Sequence, residues 1–124
     1  MEISQPQFGA QPAIDAYGDG GFRIEGLRMT GSILLTPSGL HPWPVMQIDQ
    51  ISANALEQIL AASASFEILL VGSGPSLKRP GPDVRSFFSA HKIRTDYMDT
   101  GAAARTYNVL LAEDRRVAAA LIAV

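Results

Sequence analysis

The sequence predicts an α/β domain with a mixed sheet, in which antiparallel N-terminal strands are joined to a βαβαβ-like C-terminal part with helices packed on the sheet. Up to residue 45, short apolar stretches alternate with glycine and proline turns, a pattern typical of strands. From residue 52 onward, helical and strand patterns alternate, which indicates parallel strands with helical crossovers. The chain has 124 residues, 47% of them hydrophobic, enough for one buried core but not for two.

We expect a single domain over residues 14–124, because residues 1–13 carry two prolines, three glutamines and little periodicity. These first residues are predicted to form an extended arm that packs on the domain. An alternative is that the arm exchanges between the subunits of a homo-oligomer.

The first strands are predicted from short alternating runs. Ile14 to Tyr17 is one candidate, and a glycine-rich turn follows it. Apolar residues then alternate from residue 22, but their parity changes after Gly26, which a one-residue bulge at that glycine would accommodate. We therefore predict residues 22–36 as one long bent strand, or as two strands with a break at Thr30-Gly31. Proline on both sides of Trp43 predicts a short or edge strand there, with the tryptophan buried over the core.

The C-terminal part alternates between helix and strand patterns. Ser52 is a suitable N-cap for the first helix, and the nearly continuous apolar run from Phe66 to Val71 is typical of a strand buried on both faces. This order of elements predicts parallel strands joined by crossover helices. The predicted elements are a helix at 52–60, a strand at 66–71, a helix at 83–92, a strand at 93–98, a helix at 100–114 and a strand at 117–122.

The composition argues against several function classes. Ten Lys and Arg against twelve Asp and Glu give a net charge of −2, which argues against a nucleic-acid binder. With no cysteine and two histidines, neither a thiol nucleophile nor a histidine-rich metal site is expected. The most apolar run, residues 117–124, is far shorter than the about 20 residues of a membrane-spanning helix. No secretion signal is recognisable, so we expect a cytoplasmic protein without an integral membrane segment.

The most conspicuous loop follows the strand at 66–71 and begins with Gly72-Ser73-Gly74. Loops at the carboxyl ends of parallel strands commonly bind ligands, and glycine lets backbone N–H groups surround an anion. A P-loop, however, needs Gly-Lys-Ser/Thr where this sequence has Leu77-Lys78-Arg79, and a dinucleotide fingerprint needs a third glycine where Leu77 stands. A nucleotide site is therefore not favoured, and a tight structural turn is the alternative.

A small polar pocket is nevertheless predicted beside this turn. Lys78 and Arg79 supply cations, and the Arg79 guanidinium matches a carboxylate at two points, although two solvated loop cations are the simpler explanation. The helix that starts near Thr100 should begin at the same end of the sheet, and its polar side chains need hydrogen-bond partners, for which the turn is one candidate. The predicted ligand-binding residues are Gly72, Ser73, Gly74, Arg79, Thr106 and Asn108.

No catalytic arrangement stands out. Ser73 lies between two glycines but not in the Gly-x-Ser-x-Gly pattern of a nucleophile elbow. His91 falls on the apolar face of its predicted helix, so we expect it in the core or partly buried. Asp96 and Asp99 are three residues apart on or beside a strand, so their carboxylates point to opposite faces. The sequence therefore favours a non-enzymatic protein, and it predicts neither a metal site nor a cofactor.

Two runs together carry a family resemblance: Leu69 to Gly74, and Asp99-Thr100-Gly101-Ala102-Ala103-Ala104-Arg105-Thr106-Tyr107-Asn108. With the stretch from Gly26 to Trp43 and the closing residues 113–123, they resemble the mitochondrial complex I assembly factor 3 family. That family includes bacterial and archaeal relatives and the adipogenesis-associated Mth-like domain protein, and the resemblance covers residues 14–123.

The resemblance implies a compact mixed-sheet α/β domain of Mth-like fold. For the mitochondrial members it implies a role in the biogenesis of the respiratory NADH:ubiquinone oxidoreductase, and it supplies no catalytic residues to carry over. Because no presequence is recognisable, we expect a bacterial chain.

Two hypotheses follow. The first is a non-enzymatic interaction protein that assists assembly of the respiratory NADH dehydrogenase, with subunits of that complex as partners. The second is a small-molecule or anion-binding protein, or an enzyme, that uses the Gly72-Ser73-Gly74 turn. The first predicts an exposed apolar patch and a protein partner, whereas the second predicts a concave polar pocket and a ligand that raises the melting temperature.

Overall fold

The structure is a computed structural model that describes residues 11–124, so residues 1–10 of the expected arm lie outside the described residues. A three-stranded sheet contains β1 (Ala16–Gly18), β2 (Gly21–Ile24) and β3 (Leu27–Thr30). A five-stranded sheet contains β4 (Ile33–Thr36), β5 (Gly39–Pro42), β6 (Ile68–Gly72), β7 (Thr95–Met98) and β8 (Val117–Leu121). The α-helices are α1 (Ala53–Ala62), α2 (Pro82–Ala90) and α3 (Thr100–Ala112), and a 3₁₀ turn, Ser63–Ser65, follows α1.

The five-stranded sheet has the strand order β5-β4-β8-β6-β7. β6 runs parallel to β7 and to β8, whereas β4 is antiparallel to β5 and to β8. The last strand therefore lies in the middle, where it joins the antiparallel hairpin to the parallel part. This arrangement confirms the predicted mixed-sheet α/β architecture.

Both faces of the five-stranded sheet are covered. Along β6, Leu69 and Val71 face a core that includes residues of α1 and α2. Ile68 and Leu70 face the opposite core, which includes residues of α3 and of the three-stranded sheet. Every residue of β6 is buried, as its continuous apolar run predicts. Since α2 and α3 lie on opposite faces, the chain changes winding direction between β6 and β8, and such a switch point is where α/β proteins commonly bind ligands.

The region 22–36 forms three strands rather than the predicted one or two. β2 and β3 make a hairpin whose two-residue turn consists of Glu25 and Gly26. Both turn residues have positive φ, 51° and 79°, as a type I′ turn requires. The parity change at Gly26 therefore marks a chain reversal and not a bulge. The predicted break at Thr30-Gly31 is confirmed, because it separates β3 from β4.

The edge position of the strand predicted around Trp43 is confirmed, but the strand ends one residue before the tryptophan. β5 is the outermost strand of its sheet, and Trp43 is buried with its indole Nε1 donating to the Ala55 carbonyl oxygen at 3.3 Å. The predicted N-cap of α1 is present, since the Ser52 hydroxyl oxygen accepts from the Ala55 N–H at 3.1 Å.

The expected burial of His91 is wrong. The residue is the C-cap of α2, so the chain has already left the helical path that kept Phe88 in the core. Its imidazole is exposed, lies on the ring of Phe87 and places Nδ1 2.9 Å from the Phe87 carbonyl oxygen.

The segment before β1 packs on α3 and β8. The Gln11 amide nitrogen donates to the Val117 carbonyl oxygen at 2.8 Å, and the Tyr107 hydroxyl donates to the Pro12 carbonyl oxygen at 2.6 Å. Burial raises the pKa of the Tyr107 phenol, which keeps this hydroxyl protonated as a donor. These bonds attach the beginning of the described chain to the domain.

Candidate functional site

The Gly72-Ser73-Gly74 turn lies where the sequence places it, at the carboxyl end of β6 beside the start of α3. Thr100, the first residue of α3, joins it to the end of β8. The Gly74 N–H donates to the Thr100 hydroxyl oxygen at 3.0 Å, and that hydroxyl donates to the Ile122 carbonyl oxygen at 2.7 Å. The Thr100 N–H donates back to the Gly74 carbonyl oxygen at 2.8 Å, and the Ile122 N–H donates to the Gly72 carbonyl oxygen at 3.0 Å.

Ser73 is buried, and both its N–H and its hydroxyl are hydrogen-bonded within the protein. Its N–H donates to the Met98 carbonyl oxygen at 2.8 Å. Its hydroxyl lies 2.7 Å from the Ser76 carbonyl oxygen and 3.0 Å from that of Met98, and accepts from the Lys78 N–H at 3.0 Å. Among residues 11–124 the hydroxyl is bonded only to backbone groups and has no side-chain base as a partner, an arrangement that does not activate Ser73 as a nucleophile.

Packing explains the glycine at position 72, and backbone conformation explains the glycine at position 74. A Cβ on Gly72 would lie 2.9 Å from the Leu121 Cδ2 and 3.0 Å from the Thr100 Cα. Gly74 has a φ of +107°, which strains any residue with a Cβ. Because the Ser73 and Gly74 N–H groups both have internal acceptors, the turn offers neither of them to an anion.

A groove of about 630 Å³ nevertheless opens beside the turn, and we call it the turn groove. Its walls are residues 46–49, residues 73–75 and the two residues after β8, Ile122 and Ala123. Lys78 and Arg79 line it together with one carboxylate, that of Asp49. Any anion bound here would be held by these two cationic side chains rather than by the turn backbone.

The structure does not bring Thr106 and Asn108 to the turn. The Asn108 side chain holds the backbone of Ile14 at two points, since Oδ1 accepts from the Ile14 N–H and Nδ2 donates to the Ile14 carbonyl oxygen, both at 2.8 Å. The Thr106 hydroxyl instead lies 3.5 Å from the Met98 sulfur. The turn, which was one candidate partner for these polar groups, is therefore not their partner: Asn108 faces the segment before β1, and Thr106 faces the end of β7.

Some residues of the site escaped the sequence reasoning. Thr100 forms the hydrogen bond to the turn that was expected of Thr106 and Asn108, and it is the first residue of α3, directly after the N-cap Asp99. Residues 46–49 form one wall of the turn groove, but they carry no recognisable pattern.

A second cavity, of about 480 Å³, lies between the β4–β5 hairpin and the C-terminal half of α1. On its lining, the Ser38 hydroxyl oxygen lies 3.2 Å from the His41 Nε2 and 2.8 Å from the Thr36 hydroxyl oxygen. Its lining contains no Asp or Glu to orient the imidazole, so this pair lacks the third member of a catalytic triad.

Within residues 11–124, no group of three or more His, Asp or Glu is placed to hold a metal ion. In the same part of the chain, every helix is too short or too polar to cross a bilayer.

Residues 14–122 match the model of the family described as "Protein of unknown function (DUF498/DUF598)". This match covers nearly all of the described chain. The chain belongs to the DUF498/DUF598 family.

Among curated DUF498/DUF598 relatives, an uncharacterised protein from Rhodobacter capsulatus is 34% identical over 98% of this chain and 93% of its own length. The NADH dehydrogenase [ubiquinone] 1 alpha subcomplex assembly factor 3 of Xenopus tropicalis is 32% identical over 88% of this chain. The aligned region spans 60% of that assembly factor, so this chain corresponds to only part of it.

Solved structures of DUF498/DUF598 relatives share the fold. One, described as an outer membrane protein from Bartonella henselae, is 41% identical, with a TM-score of 0.86 over 94% of this chain and 98% of its own. A Bordetella pertussis protein described as a Mth938-like domain is 33% identical, with a TM-score of 0.73 over 98% of this chain and 92% of its own. The resemblance predicted from the sequence is therefore confirmed for family and fold.

Proposed function

We propose that this chain is a protein-interaction domain that assists assembly of the respiratory NADH dehydrogenase, and that subunits of that complex are its partners. The observation that carries the proposal is the alignment of 88% of this chain with a complex I assembly factor. In this proposal residues 14–124 form the interacting domain, residues 1–13 an arm, and the protein works in the cytoplasm.

The geometry of the turn supports a non-enzymatic role. The Ser73 hydroxyl and the Ser73 and Gly74 N–H groups all have partners inside the protein. The conspicuous polar groups at the switch point therefore hold β6, β7 and α3 together, and they are not left for reaction chemistry. A domain of this kind can act through its surface alone.

The test is deletion of the gene in its own host, followed by native electrophoresis of the membranes with staining for NADH dehydrogenase activity. We expect the full-size complex to decrease, smaller subcomplexes to accumulate, and the wild-type chain to restore the complex. An unchanged amount of full-size complex in the deletion strain would contradict the proposal.

A second candidate function, anion or small-molecule binding, is favoured by the position of the turn groove. The groove lies at the switch point of the sheet and carries Lys78 and Arg79, neither of which has a carboxylate within 4.0 Å among the described residues. The ligand would be a small anion, held by these side chains near the Gly72-Ser73-Gly74 turn.

A thermal-shift panel of phosphates, nucleotides and carboxylates tests this second function on the whole chain. A ligand at one hundred times its dissociation constant stabilises the native state by about 2.7 kcal/mol, which gives a measurable rise in melting temperature. The rise should be lost in Lys78→Ala with Arg79→Ala and kept in Arg116→Ala. A panel without any shift would argue against the anion site.

A further inference from the structure

The outer side of β7 has an unpaired backbone. β7 is the last strand of its sheet, and the carbonyl oxygens of Arg94 and Met98 accept hydrogen bonds from the side of β6. Because backbone direction alternates along a strand, Thr95 and Tyr97 direct their N–H and C=O groups away from β6. Neither has a backbone partner there among the described residues. This edge can therefore pair with a further strand.

A groove of about 410 Å³ follows this side of β7, and we call it the edge groove. A groove along an unpaired strand has the shape that receives an extended segment, since main-chain hydrogen bonds supply the contact and side chains supply the selectivity. Its lining residues are Arg79, Arg85, Thr95, Asp96, Tyr97 and Met98.

Two arginines give the edge groove its charge. Arg85 is positioned by its Nη1, which donates to the Pro80 carbonyl oxygen at 2.7 Å. Neither Arg79 nor Arg85 has a carboxylate within 4.0 Å in the described part of the chain. Both lie near Tyr97, whose pKa burial raises and whose anionic form their positive charges favour.

The charges are separated between the two faces of β7. The Tyr97 side chain packs with the core on the α2 side, and that of Met98 with the core on the α3 side. Since side chains alternate along a strand, Asp96 lies on the α3 face, away from the face that α2 and its Arg85 cover. A strand paired with β7 would therefore meet cations on one face and a carboxylate on the other.

We propose that an extended acidic segment of a partner protein pairs with the outer edge of β7 as a sixth strand, with its acidic side chains at alternate positions facing Arg79 and Arg85. The proposal rests on the protein-interaction role proposed above and specifies its surface. An alternating pattern is required because only every second side chain of the added strand lies on the α2 face.

The test uses the whole ¹⁵N-labelled chain and a synthetic peptide, acetyl-Thr-Glu-Val-Glu-Val-Glu-Thr-amide. Two control peptides are matched to it: Thr-Val-Glu-Glu-Glu-Val-Thr has the same composition without the alternation, and Thr-Lys-Val-Lys-Val-Lys-Thr has the opposite charge. We expect the alternating acidic peptide to shift the amide signals of Thr95 and Tyr97 and to slow their hydrogen exchange. Its binding should be at least about tenfold tighter than that of either control peptide.

Variants of the chain separate the contribution of the arginine charges from that of backbone pairing with β7. Arg79→Glu with Arg85→Glu should reverse the preference, so that the lysine peptide binds better than the acidic one. Thr95→Pro removes one outward N–H at the first position of the strand, where proline is tolerated, and should weaken binding. Thr95→Val keeps that N–H and should bind as wild type does. An unchanged pattern of amide signals elsewhere shows that each variant is folded.

Three results would overturn the proposal. The first is the absence of shifts at Thr95 and Tyr97 with millimolar acidic peptide. The second is equal binding of the acidic and lysine peptides. The third is a concentration-dependent dimer in which these amides are protected without peptide, because a second copy would then occupy the edge. The peptide result does not depend on the gene deletion, so either proposal can fail alone.

Discussion

The turn after β6 and the outer edge of β7 lie next to each other, but their polar groups differ: those of the turn are bonded inside the protein, and the outward backbone groups of the edge are not, within residues 11–124. In the turn, the Ser73 hydroxyl and the Ser73 and Gly74 N–H groups are bonded to the protein itself. Along β7, the outward backbone groups of Thr95 and Tyr97 lack such partners among the described residues. Arg79, which lines both the turn groove and the edge groove, has no carboxylate within 4.0 Å in the same part of the chain. The glycine-rich motif therefore stabilises the fold, while the plainer strand beside it keeps the capacity to bind. Changes in the turn should cost stability, and changes at the edge should cost binding.

The largest loss of stability is expected from Thr100→Val. This substitution keeps the shape but leaves the buried Gly74 N–H and Ile122 carbonyl without the hydroxyl, which should destabilise the fold by about 2–4 kcal/mol. Thr100→Ser keeps the hydroxyl and should cost about 1 kcal/mol for the lost methyl group. Urea unfolding followed by circular dichroism measures both. Equal losses in the two variants would show that the hydroxyl does not hold the turn.

A smaller loss of stability is expected from Gly72→Ala than from Thr100→Val, and Gly101→Ala is its comparison, since a Cβ added at either glycine would be crowded. Gly72→Ala places the Cβ against the Thr100 backbone, which cannot move aside, and should cost about 1–3 kcal/mol. Gly101→Ala meets the outer end of the exposed Tyr17 side chain, with the hydroxyl oxygen 2.7 Å and two ring carbons 3.0 and 3.1 Å from the added Cβ. This side chain can move aside, and the substitution gains up to about 1 kcal/mol of helix propensity. We expect its melting temperature to stay near that of wild type. A Gly101→Ala loss as large as that of Gly72→Ala would contradict this account of the turn.

Asn108→Ala should cost about 1–2 kcal/mol, because both hydrogen bonds to the Ile14 backbone are lost. Hydrogen exchange should accelerate at the Ile14 amide and remain unchanged at Gly74. Thr106→Ala, the matched control on the same helix, loses only a sulfur contact and should change stability by less than about 0.5 kcal/mol. Faster hydrogen exchange at the Gly74 amide in Asn108→Ala would contradict this account, because it would mean that Asn108 stabilises the turn.

The smallest effect on stability is expected at the edge. Arg79→Glu with Arg85→Glu removes two exposed cations that form no ion pair in the described structure, so the loss should stay below about 1 kcal/mol. Differential scanning calorimetry checks this value. A loss of several kcal/mol would mean that the arginines are structural, and the contrast between the two regions would disappear.

Most of the fold could be predicted because the spacing of apolar residues along the chain indicates which faces of each helix and strand are buried. The continuous apolar run of β6 and the alternation after residue 52 gave the parallel part, and the prolines around Trp43 gave the edge strand. The hairpin at Glu25-Gly26 was missed because a parity change looks the same for a bulge and for a two-residue turn. The central position of β8 was also not predictable, since alternation along the chain does not determine strand order.

The candidate site was predicted less completely. Sequence placed Ser73 and the start of α3 at one end of the sheet, and the structure confirms that neighbourhood through the bond between Thr100 and Gly74. The sequence alone could not show which polar residue of α3 bonds the turn, because that depends on the rotation of the helix about its axis. Nor could it reveal the edge groove, since an unpaired backbone becomes visible only when strand order is known.

The most direct test of the contrast is affinity purification of the whole chain at its native expression level, with quantitative mass spectrometry of the bound proteins. Wild type would be compared with Arg79→Glu/Arg85→Glu and with Lys78→Glu/Arg116→Glu. The second pair is the control: it makes the same change of charge, with Lys78 in the turn groove and Arg116 at the opposite end of the sheet. We expect wild type and the control to recover NADH dehydrogenase subunits and the edge variant to lose them. Equal recovery by the edge variant, or loss in the control alone, would contradict β7 as the interaction surface.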